Sequence, residues 1–279
     1  MGESTLAVIR APYAVLRRMV ALAGLQPSPG REPYYDEMLV RLTKDCIDTP
    51  AGSTASSLAT YCTVELDVLS EYDHRHDDAV VAVFPIQEVL DWLAWVSTDA
   101  ALDTGDNIAV SFVGDEETGN VSEMRIEGGE STVTVDCHLD PVLLEQITLE
   151  LPDRFDADDR FALEDGSLAP TVVETTVDEL RRLTRAVDID SGRSSYPFVV
   201  RDGTLSLTLS VGCETRAETT LSASVDGPDV HNEYGPELAS LLEVVSGDVT
   251  LQTGPDEPLV LVRESPLFTL RYVLIPVGW

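Results

Sequence analysis

Lysine is almost missing from this chain. Among its 279 residues Lys44 stands alone, and every other cation is an arginine. Acidic side chains outnumber basic ones 50 to 18, giving a formal net charge of −32. The broadly basic surface that usually marks nucleic-acid binding is therefore excluded. No apolar run approaches the ~18–20 residues that a membrane span needs, so no membrane partner is expected. The opening MGESTLAVIR lacks a basic region followed by an apolar stretch, so no secretory leader is expected either. The four cysteines (Cys46, Cys62, Cys137 and Cys213) form no CxxC pair and match no zinc spacing. They read as small buried hydrophobes rather than disulfide partners or metal ligands.

Catalytic signatures are absent as well. There is no GxSxG, HExxH, P-loop or GxGxxG context. Acidic residues are so abundant that paired carboxylates carry no meaning. His138 and His231 are isolated, and His74 and His76 sit in HRHDD, which reads as a solvent-facing charged loop. No catalytic residue, metal ligand or cofactor is assigned, and the protein is expected not to be an enzyme.

Hydrophobic residues make up 43% of the chain, enough to fill real cores, so the charge does not signal disorder. A fold with this charge repels itself in ordinary salt. At about 1 M salt the Debye length falls to ~3 Å and most of that repulsion is screened. Short carboxylates in place of lysine stems therefore point to a salt-rich cytoplasm.

The order of elements is more informative than any motif. TLAVIRA reads as a strand, and PYAVLRRMVALAGL as a helix that starts at Pro12 and ends near Gly24. EMLVRLTKDCI reads as a strand, TPAGSTASS as a loop, LATYCTVELDVL as a strand, EYDHRHDD as a charged loop and AVVAVF as a strand. IQEVLDWLAWVST is a second helix, followed by the strands NIAVSFVG, SEMRIEG and STVTVDCHL. An acid- and turn-rich connector follows. Then TVVETT is a strand and VDELRRLTRAVDI a helix; PFVVRDG, TLSLTLSVG and AETTLSASVDG are strands. YGPELASLLEVVSG is the last helix before the closing strands DVTLQTG, PLVLVRES and FTLRYVLIPV.

The same unit is written twice. LRRM at Leu16–Met19 returns as LRRL at Leu180–Leu183, and EVLDWLAWVS (Glu88–Ser97) aligns without a gap on ELASLLEVVS (Glu237–Ser246). Each second helix is followed by three strands. Such a duplication governs the fold. It predicts an α+β protein of two β-rich pseudo-repeat domains with two helices each. The expected boundaries are 1–140, a connector at 141–170, and 171–279. Arg17, Arg18, Arg181, Arg182 and Arg185 lie off the apolar stripes of the two repeated helices.

This pattern resembles the sliding clamps of the proliferating cell nuclear antigen (PCNA) family, in a haloarchaeal or haloarchaeal-virus form. The closing stretch YGPELASLLEVVSGDVTLQTGPDEPLVLVRESPLFTLRYVLIPV carries most of the likeness. Its Leu274-Ile275-Pro276 is similar to the family's tail, and CHLDPVLLEQ resembles the start of the family's interdomain connector. Two features depart from the family: the end Val277-Gly278-Trp279 and a longer TPAGSTASS loop.

The resemblance implies a clamp fold with outer sheets and inner helices, closing into a head-to-tail homotrimer around duplex DNA. It implies that Arg17, Arg18, Arg181, Arg182 and Arg185 face the DNA and touch phosphates without reading sequence. It implies a pocket for short peptides of DNA polymerase and other replication and repair proteins. That pocket would be built from Leu143, Leu144, Ile147, Pro258, Tyr272, Ile275, Pro276 and Val277. A clamp loader is a further implied partner. STVTVDC and TLSLTLSVG are the expected ring-contact edge strands. The acidic second helices leave another reading open, a clamp-fold regulator or decoy that binds clamp partners without encircling DNA. A third is a β-rich ligand-binding or structural protein whose duplication only mimics a clamp.

Overall fold

The computed structural model describes residues 3–26, 32–52, 58–98, 107–138, 151–184, 194–211 and 215–277. The chain divides into two compact units. One comprises Met1–Gly52, Tyr61–Leu149 and Ser265–Thr269; the other comprises Ser53–Thr60, Glu150–Glu264 and Leu270–Trp279.

In the first unit β1 (Glu3–Pro12) runs directly into α1 (Tyr13–Ala23), and β6 (Val80–Pro85) directly into α2 (Ile86–Ser97). A proline sits at each junction, Pro12 at φ −57° and Pro85 at φ −70°. The ring fixes φ where the strand ends, and its missing N–H costs no helical hydrogen bond. α1 buries Leu16, Met19, Val20 and Ala23; α2 buries Ile86, Val89, Leu90, Leu93 and Val96. One sheet runs β5 (Glu71–His74), β1, β7 (Asn107–Asp115), β8 (Val121–Gly128), β9 (Ser131–Asp136). The other strands follow the order β4 (Leu58–Val64), β3 (Ile47–Gly52), β2 (Glu37–Leu42), β6. The helices and sheets meet around a void of about 20 Å³ lined by Leu16, Met19, Phe84, Leu93, Phe112 and Ile126. That is about one water, so the core is close-packed.

The second unit repeats the plan. β10 (Thr171–Thr176) leads into α3 (Val177–Thr184), and α4 (Glu237–Val244) precedes β16 (Asp248–Thr253), β17 (Leu259–Glu264) and β18 (Phe268–Leu274). The strand order is β14 (Ser224–Asp226), β10, β16, β17, β18 in one sheet. In the other it is β13 (Thr215–Thr220), β12 (Thr204–Val211), β11 (Ser194–Arg201), β15 (Val230–Tyr234). Tyr196, Tyr234, Phe198 and Phe268 are fully buried. This is the α+β architecture expected, two β-rich units each with two described helices.

Several local expectations need correction. EMLVRLTKDCI is two strands, β2 and β3, joined by a turn in which the Thr43 N–H donates to the Cys46 carbonyl at 2.9 Å. TPAG belongs to β3 rather than to a loop. EYDH is strand β5, paired along β1 from Ala7↔His74 to Arg10↔Glu71. It ends its sheet, and its charged residues Glu71 and Asp73, which an edge strand tolerates, hid it from a hydrophobicity pattern. VHNEY is a further strand, β15, with Val230, Asn232 and Tyr234 inward. AETTLSASVDG splits into β13 and β14. TLSLTLSVG, expected at an edge, is the interior strand β12, between β11 and β13. STVTVDC forms β9 and does end its sheet.

Three buried polar groups stiffen these sheets. Asp48 on β3, 2% exposed, accepts from Arg41 at 2.7 Å, from the Tyr61 hydroxyl at 3.0 Å, from Thr63 at 3.4 Å and from the Cys46 thiol at 2.9 Å. Burial and this carboxylate push the Tyr61 hydroxyl well above the usual phenol range. Asn232 donates its amide among the Gly254 and Glu257 carbonyls and the Tyr234 and Thr253 hydroxyls, and accepts the Asp256 N–H at 2.9 Å. Gln252, 1% exposed, donates to the Asp159 carbonyl at 2.6 Å and accepts the Phe161 N–H at 2.8 Å. It holds the segment 151–169 on the sheet, where Phe161 packs with Val260, Val262 and Val273.

The HRHDD histidine His76 is buried, not solvent-facing. Its Nε2 lies 2.9 Å from the Glu116 carbonyl and its Nδ1 lies 3.1 Å from the Asp78 carbonyl. A Cβ on Gly119, which holds φ +71°, would crowd the imidazole and the Ala79 carbonyl. The Asp78 carbonyl first, then that of Glu116, raises the His76 pKa against the opposing effect of burial. A raised folded-state pKa stabilises below the unfolded value of about 6.5, and that contribution disappears as pH rises through the folded value. Thermal melts from about pH 5 to pH 8 should show wild type losing stability relative to His76→Gln as pH rises. A pH-independent difference would contradict this role.

Candidate nucleic-acid interface and partner surface

The two arginine steps occupy matching places, each on the helix that leaves the first strand of its unit. Their first members are engaged within the protein. Arg17 donates to Gln26 Oε1 at 3.2 Å; Gln26 donates to Gln87 Oε1 at 3.4 Å, and Gln87 donates to Asp91 at 2.8 Å. This chain of amides links α1 to α2. Arg181 donates to the carbonyls of Leu242, Glu243 and Val245, the last at 2.7 Å. The Leu242 and Glu243 carbonyls belong to the last turn of α4, where partners within the helix run out, and Val245 follows directly. A guanidinium there also faces the negative pole of the helix dipole.

The second members point outward. Arg18 is exposed. The Arg182 side chain is 54% exposed and pairs with Glu179 at 2.9 Å across one helical turn. Glu179 also accepts the Ser222 N–H, and these two bonds hold its carboxyl below the usual range. Arg185 lies outside the described residues. On the second helices Glu88, Asp91 and Glu243 are exposed, whereas Glu237 is half-buried.

Of the residues expected to form a peptide pocket, Pro258, Tyr272, Ile275, Pro276 and Val277 are described. Leu143, Leu144 and Ile147 lie outside the described residues. Ile275 and Val277 are 39% and 58% exposed, and Pro276 is buried between them. The tail is fixed by the Val277 N–H donating to the Glu233 carbonyl at 2.7 Å and by a bridge between Tyr234 and Pro276. Pro258 is buried beside the turn that Asn232 pins. Tyr272 is a correction. It is 1% exposed and shares its face of β18 with Phe268, Leu270 and Leu274, so strand alternation makes it core rather than pocket wall.

Among the described residues no group of three or more His, Cys, Asp or Glu side chains could hold a metal ion. Cys62 and Cys137 are buried, and burial pushes the Cys137 pKa up to about 12. Cys46 is only half-buried and serves Asp48 instead. No helix among the described residues is long and apolar enough to cross a membrane.

Sequence reasoning missed the exposed pair Trp92 and Trp95 on α2. The signal was present, because positions 92 and 95 fall outside the buried stripe 86, 89, 90, 93, 96.

No protein-family model matches the chain, and no curated protein matches it. Solved structures do. The crystal structure of proliferating cellular nuclear antigen from Entamoeba histolytica superposes with a TM-score of 0.67 at 12% identity, covering 98% of this chain and 99% of that one. PCNA of A. fulgidus, bound to the C-terminal region of FEN-1, gives a TM-score of 0.69 at 14% identity, covering 97% and 98%. PCNA from Thermococcus kodakaraensis gives 0.66 at 14% identity, covering 97% and 99%. The chain has the DNA-clamp fold over nearly its whole length.

Proposed function

We propose that the chain is the subunit of a DNA sliding clamp, a processivity factor without chemistry of its own. Three copies close into a ring around duplex DNA, and the ring docks a polymerase and other replication and repair proteins through short peptides. A clamp loader opens it. On this reading the chain is a duplication with halves at 1–140 and 171–279 joined by 141–170, and the protein works in a salt-rich cytoplasm. The observation that carries this reading is the matched exposure of Arg18 and Arg182 on equivalent helices of a clamp fold. A topological ring needs little affinity, so few cations suffice where salt weakens every phosphate contact. β9 offers a free edge for pairing between subunits. Because β12 is interior, β13 takes the opposing edge. Ile275 and Val277 contribute to the peptide-docking surface.

A second reading keeps the clamp fold but not the encirclement: a regulator or decoy that binds clamp partners. The exposed carboxylates Glu88, Asp91 and Glu243 favour it, because they repel phosphate.

The test is duplex affinity of the Arg18→Gln/Arg182→Gln variant. Each arginine accounts for about one phosphate contact. A ring of three copies loses six such contacts, so the salt slope of log affinity should flatten by roughly 5, and affinity should fall at least about tenfold at the lowest salt that preserves the fold. Melting temperature should not move. A variant that binds like wild type, or a wild type that binds no duplex at any salt, contradicts the clamp reading.

A further inference from the structure

Trp92 and Trp95 are 36% and 51% exposed, with ring centroids 5.9 Å apart and planes at 85°. Both lie on the side of α2 opposite the core. Glu88, Asp91, Trp92 and Trp95 follow the spacing i, i+3, i+4, i+7, so two carboxylates and two indoles share one exposed stripe. Trp92 Nε1 donates to Glu88 Oε1 at 3.3 Å, and Gln87 donates to Asp91 Oδ1 at 2.8 Å. These bonds hold the carboxylates beside the rings.

Neither the core nor a phosphate-binding role accounts for this combination. Indole faces are electron-rich, and a cation over them is attracted. The adjoining carboxylates reject phosphate and accept N–H donors. The group that matches both demands is guanidinium: it is flat, weakly hydrated and charged, able to stack on an indole while its edge bonds a carboxylate. Lysine matches the charge but not the stacking. The stripe spans about 10 Å along the helix axis. That length takes two arginines spaced two or three residues apart in an extended peptide, which rises about 3.3 Å per residue.

We propose that the α2 stripe of Glu88, Asp91, Trp92 and Trp95 docks an arginine-bearing segment of another protein. The stripe uses neither Arg18 nor Arg182, but Asp91 ends the chain of amides that begins at Arg17, and in the proposed ring α2 belongs to the helix layer that surrounds the duplex, so the segment docks when that face is free of DNA. Because stacking depends less on long-range charge than an exposed ion pair does, the contact should survive in strong salt.

The test uses the full chain carrying Trp279→Phe, so that fluorescence reports Trp92 and Trp95. It is titrated at about 1 M KCl with an eight-residue alternating Arg-Gly peptide and with its Lys-Gly counterpart. The arginine peptide should quench the indoles and bind about tenfold more tightly than the lysine peptide. Trp92→Ala/Trp95→Ala, followed by peptide anisotropy, should lose about tenfold in affinity. Glu88→Gln/Asp91→Asn keeps both fluorophores and should lose several-fold, with an unchanged melting temperature in both variants. Three results overturn the proposal. One is equal binding of both peptides, undiminished in the tryptophan variant, which is general attraction to an acidic chain. Another is quenching of the indoles by duplex DNA alone at about 1 M KCl, which makes nucleic acid the occupant. The last is a concentration-dependent self-association that Trp92→Ala/Trp95→Ala abolishes, which makes a second copy of this chain the occupant.

Discussion

Asp48→Ala should lower the free energy of unfolding by about 3 kcal/mol, read from the denaturant midpoint in strong salt. Removing one member of a buried ion pair typically costs about 3–5 kcal/mol because the other charge stays behind. Here Arg41 is 37% exposed and keeps some water, which places the effect at the low end of that range. The Tyr61 and Thr63 hydroxyls lose an acceptor in the same step, which adds to the loss. Asp48→Asn retains an oxygen for Tyr61 and should cost about half as much. If alanine and wild type unfold at the same denaturant concentration, the carboxylate does not organise β2, β3 and β4.

Arg181→Met should cost about 2–3 kcal/mol, because the methionine keeps most of the stem but leaves the carbonyls of Leu242, Glu243 and Val245 without their donor. Arg182→Met is the control. Arg182 is 54% exposed, and its partner Glu179, one helical turn away, keeps the Ser222 N–H; exposed pairs contribute little, so the variant's melting temperature should match wild type. The contrast separates two arginines that are neighbours in sequence and identical in charge. If both substitutions are silent, the guanidinium contact to the end of α4 has no energetic weight.

This contrast also shows how far the sequence could be read. The duplication was legible because LRRM and LRRL repeat, and because two second helices align without a gap. The clamp architecture was legible because the order of strands and helices is encoded in hydrophobic periods. The division of labour within each arginine step was not, because the acceptors of Arg181 are backbone carbonyls some sixty positions away, and a carbonyl has no letter. Strand β5 was hidden by its charges, which an edge strand tolerates. Strand β15 was hidden by Asn232, a polar residue where alternation demands an apolar one, satisfied by the turn Gly254–Glu257 and by the Tyr234 and Thr253 hydroxyls. Tyr272 was misjudged because the family resemblance supplied a surface role while strand parity, readable from Phe268 onward, supplied a buried one.

The net charge of −32 need not oppose DNA encirclement. At about 1 M salt, charges more than ~3 Å apart are largely screened, and a closed ring holds its cargo by topology. The claim therefore depends less on affinity than on assembly. Its most direct test is the solution mass, by light scattering behind size exclusion at about 3 M KCl and again at low salt. Three chain masses in strong salt, falling to one as salt is withdrawn and acidic subunits repel, is the predicted result. A single chain mass at every salt and protein concentration would contradict the ring.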